Sequence, residues 1–388
     1  MEPARVLIAG GGVAGLETAL ALRDLAGDAA EIEICAPRRE FVYKPFAVGE
    51  PYGSSHVLRY PLEGLARRAG IAYRWSSLSS VDARGRQGST PDGRRLSYDH
   101  LVIATGVKHL WSVPGATMFW GAAGELDAMA AVRGLGTSGL RHLVFAMPAT
   151  PSWSLPLYEL AFLAQARQSG AASEERPTRL TVVTPEESPL LVFGRQASDG
   201  VAELLSQSDI ELVAGAHPIR FERGILSVAP GEGIEADAVI SLPRLEGRRF
   251  DGVPHDEHGF IPIDDHCRVC GLERVYAAGD ITTFPVKQGG IAGQQADVVA
   301  GAIAAELGCD LDAEPFDPIL RGVLWTSTGT RYLYGRPTGG HGEVSTLTEE
   351  PPWPVQSGKI VSRYLSDFLA GVDRDAAAAN PRIPAPSA

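Results

Sequence analysis

Three glycine-marked stretches and one cysteine pair hold the residues whose types and spacing could do chemistry. Gly10-Gly11-Gly12-Val13-Ala14-Gly15 follows the apolar run Arg5-Val6-Leu7-Ile8-Ala9 and leads into residues 16–25, where apolar side chains recur at helical spacing. This is a strand, a glycine turn and a helix with G-x-G-x-x-G spacing. Gly10 admits the tight turn, Gly12 lets backbone approach a pyrophosphate, and Gly15 lets the helix lie close on the strand. Val13 and Ala14 open the helix, whose first N–H groups face the phosphates. The pattern points to a dinucleotide; the plainer alternative is a doubly wound sheet that holds no ligand.

A dinucleotide fold usually ends its second strand in an acid that binds ribose hydroxyls. Here that strand, residues 31–35, runs into Ala36-Pro37-Arg38 and has no acid. Either Glu40 or the backbone near Pro37 and Arg38 is left to hold the ribose, and Arg38 can offset phosphate charge. Two further apolar strands end in small residues, where backbone must come near something bulky. One leads into Ala104-Thr105-Gly106 and the other into Gly279-Asp280.

Together and in this order, the three motifs resemble the FAD fold of flavoprotein reductases with two dinucleotide-binding domains, over residues 1–310. The chain is similar to the sulfide:quinone oxidoreductase and type II NADH dehydrogenase branch of the FAD-dependent pyridine nucleotide-disulfide oxidoreductases. That resemblance implies an α/β fold class, with two Rossmann-like, doubly wound domains and a small C-terminal region. It implies FAD as cofactor and no metal. Phe41-Val42-Tyr43-Lys44-Pro45 looks like the segment that runs beside the isoalloxazine, and Asp280 is placed to accept from ribityl hydroxyls. Lys287-Gln288-Gly289-Gly290 leads into a helix whose N-terminus would face the flavin pyrimidine, with Lys287 stabilising negative charge on the reduced ring. Read without the resemblance, Lys287 is a solvated surface lysine. Gln294 and Gln295 match part of a quinone-site signature.

The cysteines depart from the family pattern. The dithiol reductases carry a redox pair near the Lys44 region, and none is present here. Residues 156–162 are similar to the Pro-Ala-Tyr-Glu-Phe-Ala stretch of sulfide:quinone oxidoreductases, in which a catalytic cysteine lies three residues before the proline. Trp153 stands at that position, and Cys267 falls near the second cysteine, so at most one of the pair survives. Cys267-Arg268-Val269-Cys270 is either a substitute redox pair or two incidental thiols in a turn. No second such pair or paired histidines lie nearby to hold zinc. Trp153 can stack on a planar substrate and Glu159 can relay a proton, beside Tyr158; the alternatives are a core tryptophan and a carboxylate capping or pairing within its own helix.

These elements divide the chain into an FAD-binding domain over residues 1–109 and 248–310, with a second Rossmann-like domain over 110–247 inserted between. Strands of the second domain are expected at 141–147, 179–184 and 238–241, with a polar loop over 171–177. The loop after its first strand, 148–156, has no glycine, and Pro148, Pro151 and Pro156 lack N–H groups, which argues against a pyridine nucleotide in the usual place. Residues 311–374 are expected to hold a hairpin (318–325 with 331–334) and an amphipathic helix over 359–369, followed by a disordered Ala- and Pro-rich tail over 375–388.

Composition narrows the function. The 388 residues carry 35 Lys and Arg against 47 Asp and Glu, a net charge of −12, which excludes nucleic acid as the expected partner. Four scattered cysteines suit a reducing compartment, and the N-terminal stretch lacks a signal-peptide pattern, so the chain is expected in the cytoplasm. The most apolar stretch, 6–22, is broken by glycines and Glu17 and falls short of the ~20 residues of a membrane span. With only Lys359 and Arg363 basic, the amphipathic helix offers at most weak peripheral membrane contact; packing on the flavin domain or on a homodimer partner is the plainer expectation. The expected activity is a flavin cycling by two electrons between an unidentified small-molecule donor and a quinone-like acceptor. An NAD(P)H:acceptor reductase and a flavin-binding, redox-responsive scaffold without efficient turnover are the alternatives.

Overall fold

The computed structural model describes residues 2–119, 132, 135, 139–148, 152–169, 177–337, 344–354 and 358–379. Its helices are α1 (Val13–Ala26), α2 (Leu62–Arg68), α3 (Leu155–Ser169), α4 (Arg195–Gln207), α5 (Gly289–Glu306) and α6 (Leu365–Ala379). The unbroken apolar runs of the sequence become parallel strands covered on both faces, which is why they lack polar alternation. One sheet has the order Val275–Ala277, His100–Ile103, Ala4–Ala9, Ala30–Ala36, Ala72–Trp75, every pair parallel. The second has the order Thr117–Met118, Ala238–Ser241, His142–Ala146, Arg179–Val183, Ile210–Val213, again all parallel. Two doubly wound sheets are thus present, as expected for the fold class.

Strands Lys108–Leu110 and Arg244–Glu246 pair antiparallel where the chain leaves the first sheet for the second and returns. A three-stranded antiparallel sheet, Leu320–Thr326, Gly329–Gly335 and Ser345–Thr348, covers α3 and α4. Gly322 is needed there, because a Cβ would come within 2.9 Å of both Phe193 and Leu155.

The C-terminal end differs from expectation. The helix begins at Leu365 instead of 359 and continues to Ala379, through residues expected to be disordered. Backbone N–H groups of Lys359 and Ile360 donate to the Tyr43 hydroxyl, and those of Tyr364 and Leu365 to the Glu17 carboxylate, so the strap 358–364 finds partners outside a helix. Beyond Leu365, Asp373 accepts from Tyr60, Asp375 pairs with Arg68, and a run of alanines favours helix. Residues 380–388 and 171–176 lie outside the described residues.

Helices α1 and α5 pack together over the first sheet through small side chains, among them Ala14, Ala19, Ala292, Ala296 and Ala300. Gly15 sets the approach of α1 to the turn before it: a Cβ there would lie 2.0 Å from the Gly10 carbonyl oxygen. Gly15→Ala is therefore expected to lower unfolding free energy by about 3 kcal/mol through overpacking, measured by urea denaturation of the apoprotein.

Candidate functional site

The glycine turn is shaped by what it touches. Gly10 has φ +130°, and a Cβ on it would sit 2.1 Å from the Ala104 carbonyl oxygen. Its N–H donates to the Cys35 carbonyl at 2.9 Å, so three strand ends meet there. Gly12 caps α1 without a side-chain acceptor, and a Cβ on it would meet nothing within 4 Å. The helix N-terminus therefore opens onto space with its first N–H groups unclaimed by a cap. Gly279, at φ +82°, comes so near that its Cβ would be 3.1 Å from that of Ala14, and its N–H donates to Gln295 Oε1 at 2.7 Å. The structure thus brings Gly10, Gly12, Val13, Ala14, Gly15, Ala104, Thr105, Gly106, Gly279 and Asp280 to the carboxyl end of one parallel sheet. Thr105 Oγ1 is buried there with no protein partner.

Positive charge rims this crevice. The Pro37-Arg38 loop is pinned by Tyr73, whose hydroxyl donates to the Arg38 carbonyl at 2.7 Å, and by Trp75, whose Nε1 donates to the Pro37 carbonyl at 2.9 Å. The absence of an acid after the second strand is thus a real feature of the rim. His109 is pushed down to about 4 by desolvation and by the charges of Lys44, Arg38 and Arg248. Lys44 is lowered by desolvation and Arg38, against the pull of Asp280. Asp280 is raised by desolvation, opposed by Lys287 and Lys44.

Lys287 is 5% exposed, which removes the surface-lysine alternative. Its Nζ donates to the Thr282 carbonyl at 2.5 Å and lies 4.0 Å from the Phe260 ring centroid, and desolvation brings its pKa down to about 8. Gln288 caps α5 and binds the Arg321 carbonyl through Nε2 at 2.6 Å, leaving its Oε1 buried without a partner. Gly289 and Gly290 open α5; a Cβ on Gly289 would come 2.8 Å from Ile360 of the strap. Gln294 and Gln295 are used inside the protein: Gln294 pairs with both backbone groups of Ile319, and Gln295 fixes the Gly279 turn.

Glu159 does not cap or pair within its helix. It is 1% exposed and forms an ion pair with Lys359, 200 residues away, while accepting the Trp325 backbone N–H at 2.9 Å. Lys359 Nζ lies 4.1 Å from the Trp325 ring centroid, and Trp325 stacks on Phe46 at 5.8 Å and 7°. Burial raises the Glu159 pKa and lowers that of Lys359, and each partner opposes the shift of the other. Phe46 follows Lys44 and Pro45 in the turn Lys44–Tyr52, so this cluster adjoins the crevice. Trp153 instead packs on Phe193 at 5.7 Å, and Tyr158 is fully buried. Sequence reasoning found Glu159 but missed Lys359, Trp325 and Phe46. The lone Glu in an apolar helix was the only signal, and it did not name its partner.

Comparison with known proteins agrees with this geometry. Residues 159–301 match the family described as Pyridine nucleotide-disulphide oxidoreductase. Over that stretch the chain is similar to the pyridine nucleotide-disulphide oxidoreductases. A NADH dehydrogenase-like protein of Mycobacterium tuberculosis is 25% identical over 295 residues, 71% of this chain and 72% of the relative. The sulfide-quinone reductase of Aquifex aeolicus is 28% identical over 166 residues, 41% of this chain and 38% of the relative. The solved sulfide:quinone oxidoreductase of Aquifex aeolicus aligns with TM-score 0.80 at 19% identity, over 89% of this chain and 87% of that one. A ferredoxin reductase from Rhodopseudomonas palustris aligns with TM-score 0.65 at 19% identity, over 87% and 83%.

The chain has two doubly wound parallel sheets, but its C-x-x-C pair is not two accessible thiols. Cys267 is fully buried at φ +58°, its thiol pushed up to about 12 by desolvation and by Asp264 and Asp265, and Cys270 is exposed. A thiol held protonated in this way is a poor nucleophile, so Cys267 is not the attacking member of a redox pair. Among the described residues no helix is long and apolar enough to cross a membrane. The Glu159 to Lys359 pair yields a stability prediction. Lys359→Met leaves the Glu159 carboxyl buried without its partner and should cost roughly 3–5 kcal/mol in equilibrium unfolding, whereas Glu159→Leu with Lys359→Met recovers most of that loss.

Proposed function

We propose that the chain is an FAD-dependent oxidoreductase whose flavin cycles by two electrons between a small-molecule donor and a planar, quinone-like acceptor. The open N-terminus of α1 facing a cationic rim is the observation that carries the cofactor. A pyrophosphate fits the space before Gly12, Arg38, Lys44 and Arg248 supply countercharge, and Thr105 Oγ1 lacks any protein partner. When bound, FAD supplies the two-electron chemistry.

The protein's own residues supply positioning and protons. Lys287, held by the Thr282 carbonyl, and the N-terminus of α5 favour negative charge beside them. Asp280 is the acceptor for hydroxyls of the bound group. Near them, the half-buried Trp325 and Phe46 give a flat apolar surface, and the buried Lys359 to Glu159 pair can hold or pass a proton at Lys359 Nζ or a Glu159 carboxyl oxygen. A flat surface with a buried proton carrier suits an acceptor that takes up protons with its electrons. Trp153, packed on Phe193, drops out of this role.

In the second sheet Glu186 follows strand Arg179–Val183, where a ribose acid would stand. It is instead engaged by Tyr158, Ser154 and Thr184 hydroxyls at 2.6, 2.9 and 3.1 Å, which favours a donor other than NAD(P)H. The name of the mycobacterial relative keeps an NADH-driven reductase as the second reading.

Anaerobic addition of NADH, NADPH and sulfide to the FAD-loaded protein, followed by flavin absorbance, tests the donor: rapid bleaching by either nicotinamide would overturn the first reading. Gly12→Ala tests the cofactor site. Its Cβ meets no protein atom, so the apoprotein should unfold at the wild-type urea midpoint while the purified protein retains at least tenfold less FAD.

A further inference from the structure

The turn beside the crevice and the strap that carries Lys359 meet at one side chain. Tyr43 ends the strand Glu40–Tyr43 and stands directly before Lys44, so its backbone belongs to the crevice side of the fold. Its side chain is 6% exposed, and its hydroxyl oxygen accepts the backbone N–H groups of both Lys359 and Ile360 at 2.7 Å. A phenol oxygen has lone pairs for two donors, whereas a phenylalanine there would leave two buried N–H groups unpaired. Gly358 makes the approach possible: it has φ +97°, and a Cβ on it would lie 2.5 Å from the Tyr43 oxygen.

The ring of the same residue meets the aromatic surface. Tyr43 and Phe46 stand 5.1 Å apart at 50°, Phe46 stacks on Trp325 at 5.8 Å, and Lys359 Nζ lies 4.1 Å from the Trp325 centroid. Tyr43, Phe46, Trp325 and Lys359 thus close a circuit of contacts, and Glu159 accepts from both the Trp325 backbone and the Lys359 ammonium. A lysine head rides on a flexible four-carbon stem, so holding it at one buried point requires that its backbone be fixed. Further along the strap, Ser366 Oγ donates to the Ile360 carbonyl at 2.9 Å and Glu17 accepts the Leu365 N–H at 2.6 Å. At Lys359 itself the holding group is Tyr43.

We propose, resting on the acceptor reading given above, that Tyr43 is the positioning residue for proton delivery at Lys359: its hydroxyl fixes the backbone that carries the ammonium, and its ring supports the surface on which the acceptor lies. A quinone that takes two electrons and one proton from the reduced cofactor needs one more proton to become the hydroquinone. Lys359 Nζ gives that proton and recovers one from solvent before the next turnover. Tyr43 touches neither the acceptor nor the proton and acts through Lys359. Loss of its hydroxyl keeps the aromatic surface but misplaces Nζ, and a shift of about 1 Å slows such a transfer about a hundredfold.

Two measurements on the FAD-loaded full chain test this. In the first, flavin reduced with one equivalent of dithionite is mixed with duroquinone, and its reoxidation is followed by absorbance over a range of quinone concentrations. In Tyr43→Phe the limiting rate should fall about a hundredfold while the half-saturating quinone concentration stays within about twofold of wild type. Gly358→Ala forces the same contact apart from the strap side and should give the same split, so the test holds even where Tyr43→Phe fails to retain FAD. An unchanged limiting rate in the FAD-retaining variants, or a loss confined to half-saturation, would overturn the positioning role. In the second, labelling of Lys359 by acetic anhydride, with no acceptor present, is read by mass spectrometry against the exposed Lys108. Lys359, 9% exposed, should resist labelling in wild type and become about tenfold more reactive in either variant, the effect of one lost hydrogen bond. An unchanged ratio would overturn the clasp. Failure of duroquinone to reoxidise the wild-type flavin would instead sink the acceptor reading, and the labelling ratio would still decide whether Tyr43 holds Lys359.

Discussion

Withdrawing Lys359 and Glu159 from water removes two charges from their hydration, and only each other, one backbone N–H and an aromatic face replace it. An ion pair of this kind holds only where geometry is enforced from outside, because the desolvation it suffers rivals the attraction it gains. The remainder of the C-terminal region can be understood as that enforcement. Tyr43 grips the backbone of Lys359 and Ile360, Gly289 and Gly293 leave room for the strap on α5, and α6 is fastened to α1 through Glu17, to the strand Leu58–Pro61 through Tyr60 and to α2 through Arg68. The antiparallel sheet delivers Trp325 to the same spot, with its backbone N–H already committed to Glu159.

The crevice poses the opposite electrostatic problem. The chain as a whole carries a net charge of −12, yet Arg38, Lys44 and Arg248 gather where three strand ends and a helix N-terminus meet. These exposed cations make a local patch of positive charge on an otherwise acidic protein. His109 pays for this locally by losing its own charge. Asp280 stands within reach of both Lys44 and Lys287: burial raises its pKa, and the two lysines oppose that rise.

What could be read from the sequence follows how local each cause is. The glycine turn was legible because Gly10, Gly12 and Gly15 act within one strand, turn and helix, and the buried parallel strands were legible as unbroken apolar runs. The C-terminal helix was misplaced by six residues because its start is set by Glu17, which lies 348 residues from Leu365 and is invisible to periodicity. Distance in sequence also hid Lys359, whose partner Glu159 is 200 residues away: a basic residue in an apolar stretch looked like the polar side of a helix, and only the fold supplies its buried carboxylate. The C-x-x-C spacing misled in the opposite way, because spacing says nothing about burial, and a buried thiol beside two aspartates stays protonated.

In the second sheet an acid at the end of a central strand is engaged from within the protein. Glu186 stands after the second strand of that sheet, where the first sheet has no acid, so by position alone the second fold looks the better nucleotide site. The hydroxyls of Tyr158, Ser154 and Thr184 already occupy its oxygens, however, and burial raises its pKa against those three bonds. A ribose would have to displace internal hydroxyls and leave them unpaired, and unpaired buried donors cost more than a replaced bond returns. Meanwhile α3, which carries Tyr158, also carries Glu159, so the helix that closes this position aims its next residue at Lys359. One helix thus links the hydrogen-bonded Glu186 to the Glu159–Lys359 ion pair, and the two features constrain each other through adjacent residues.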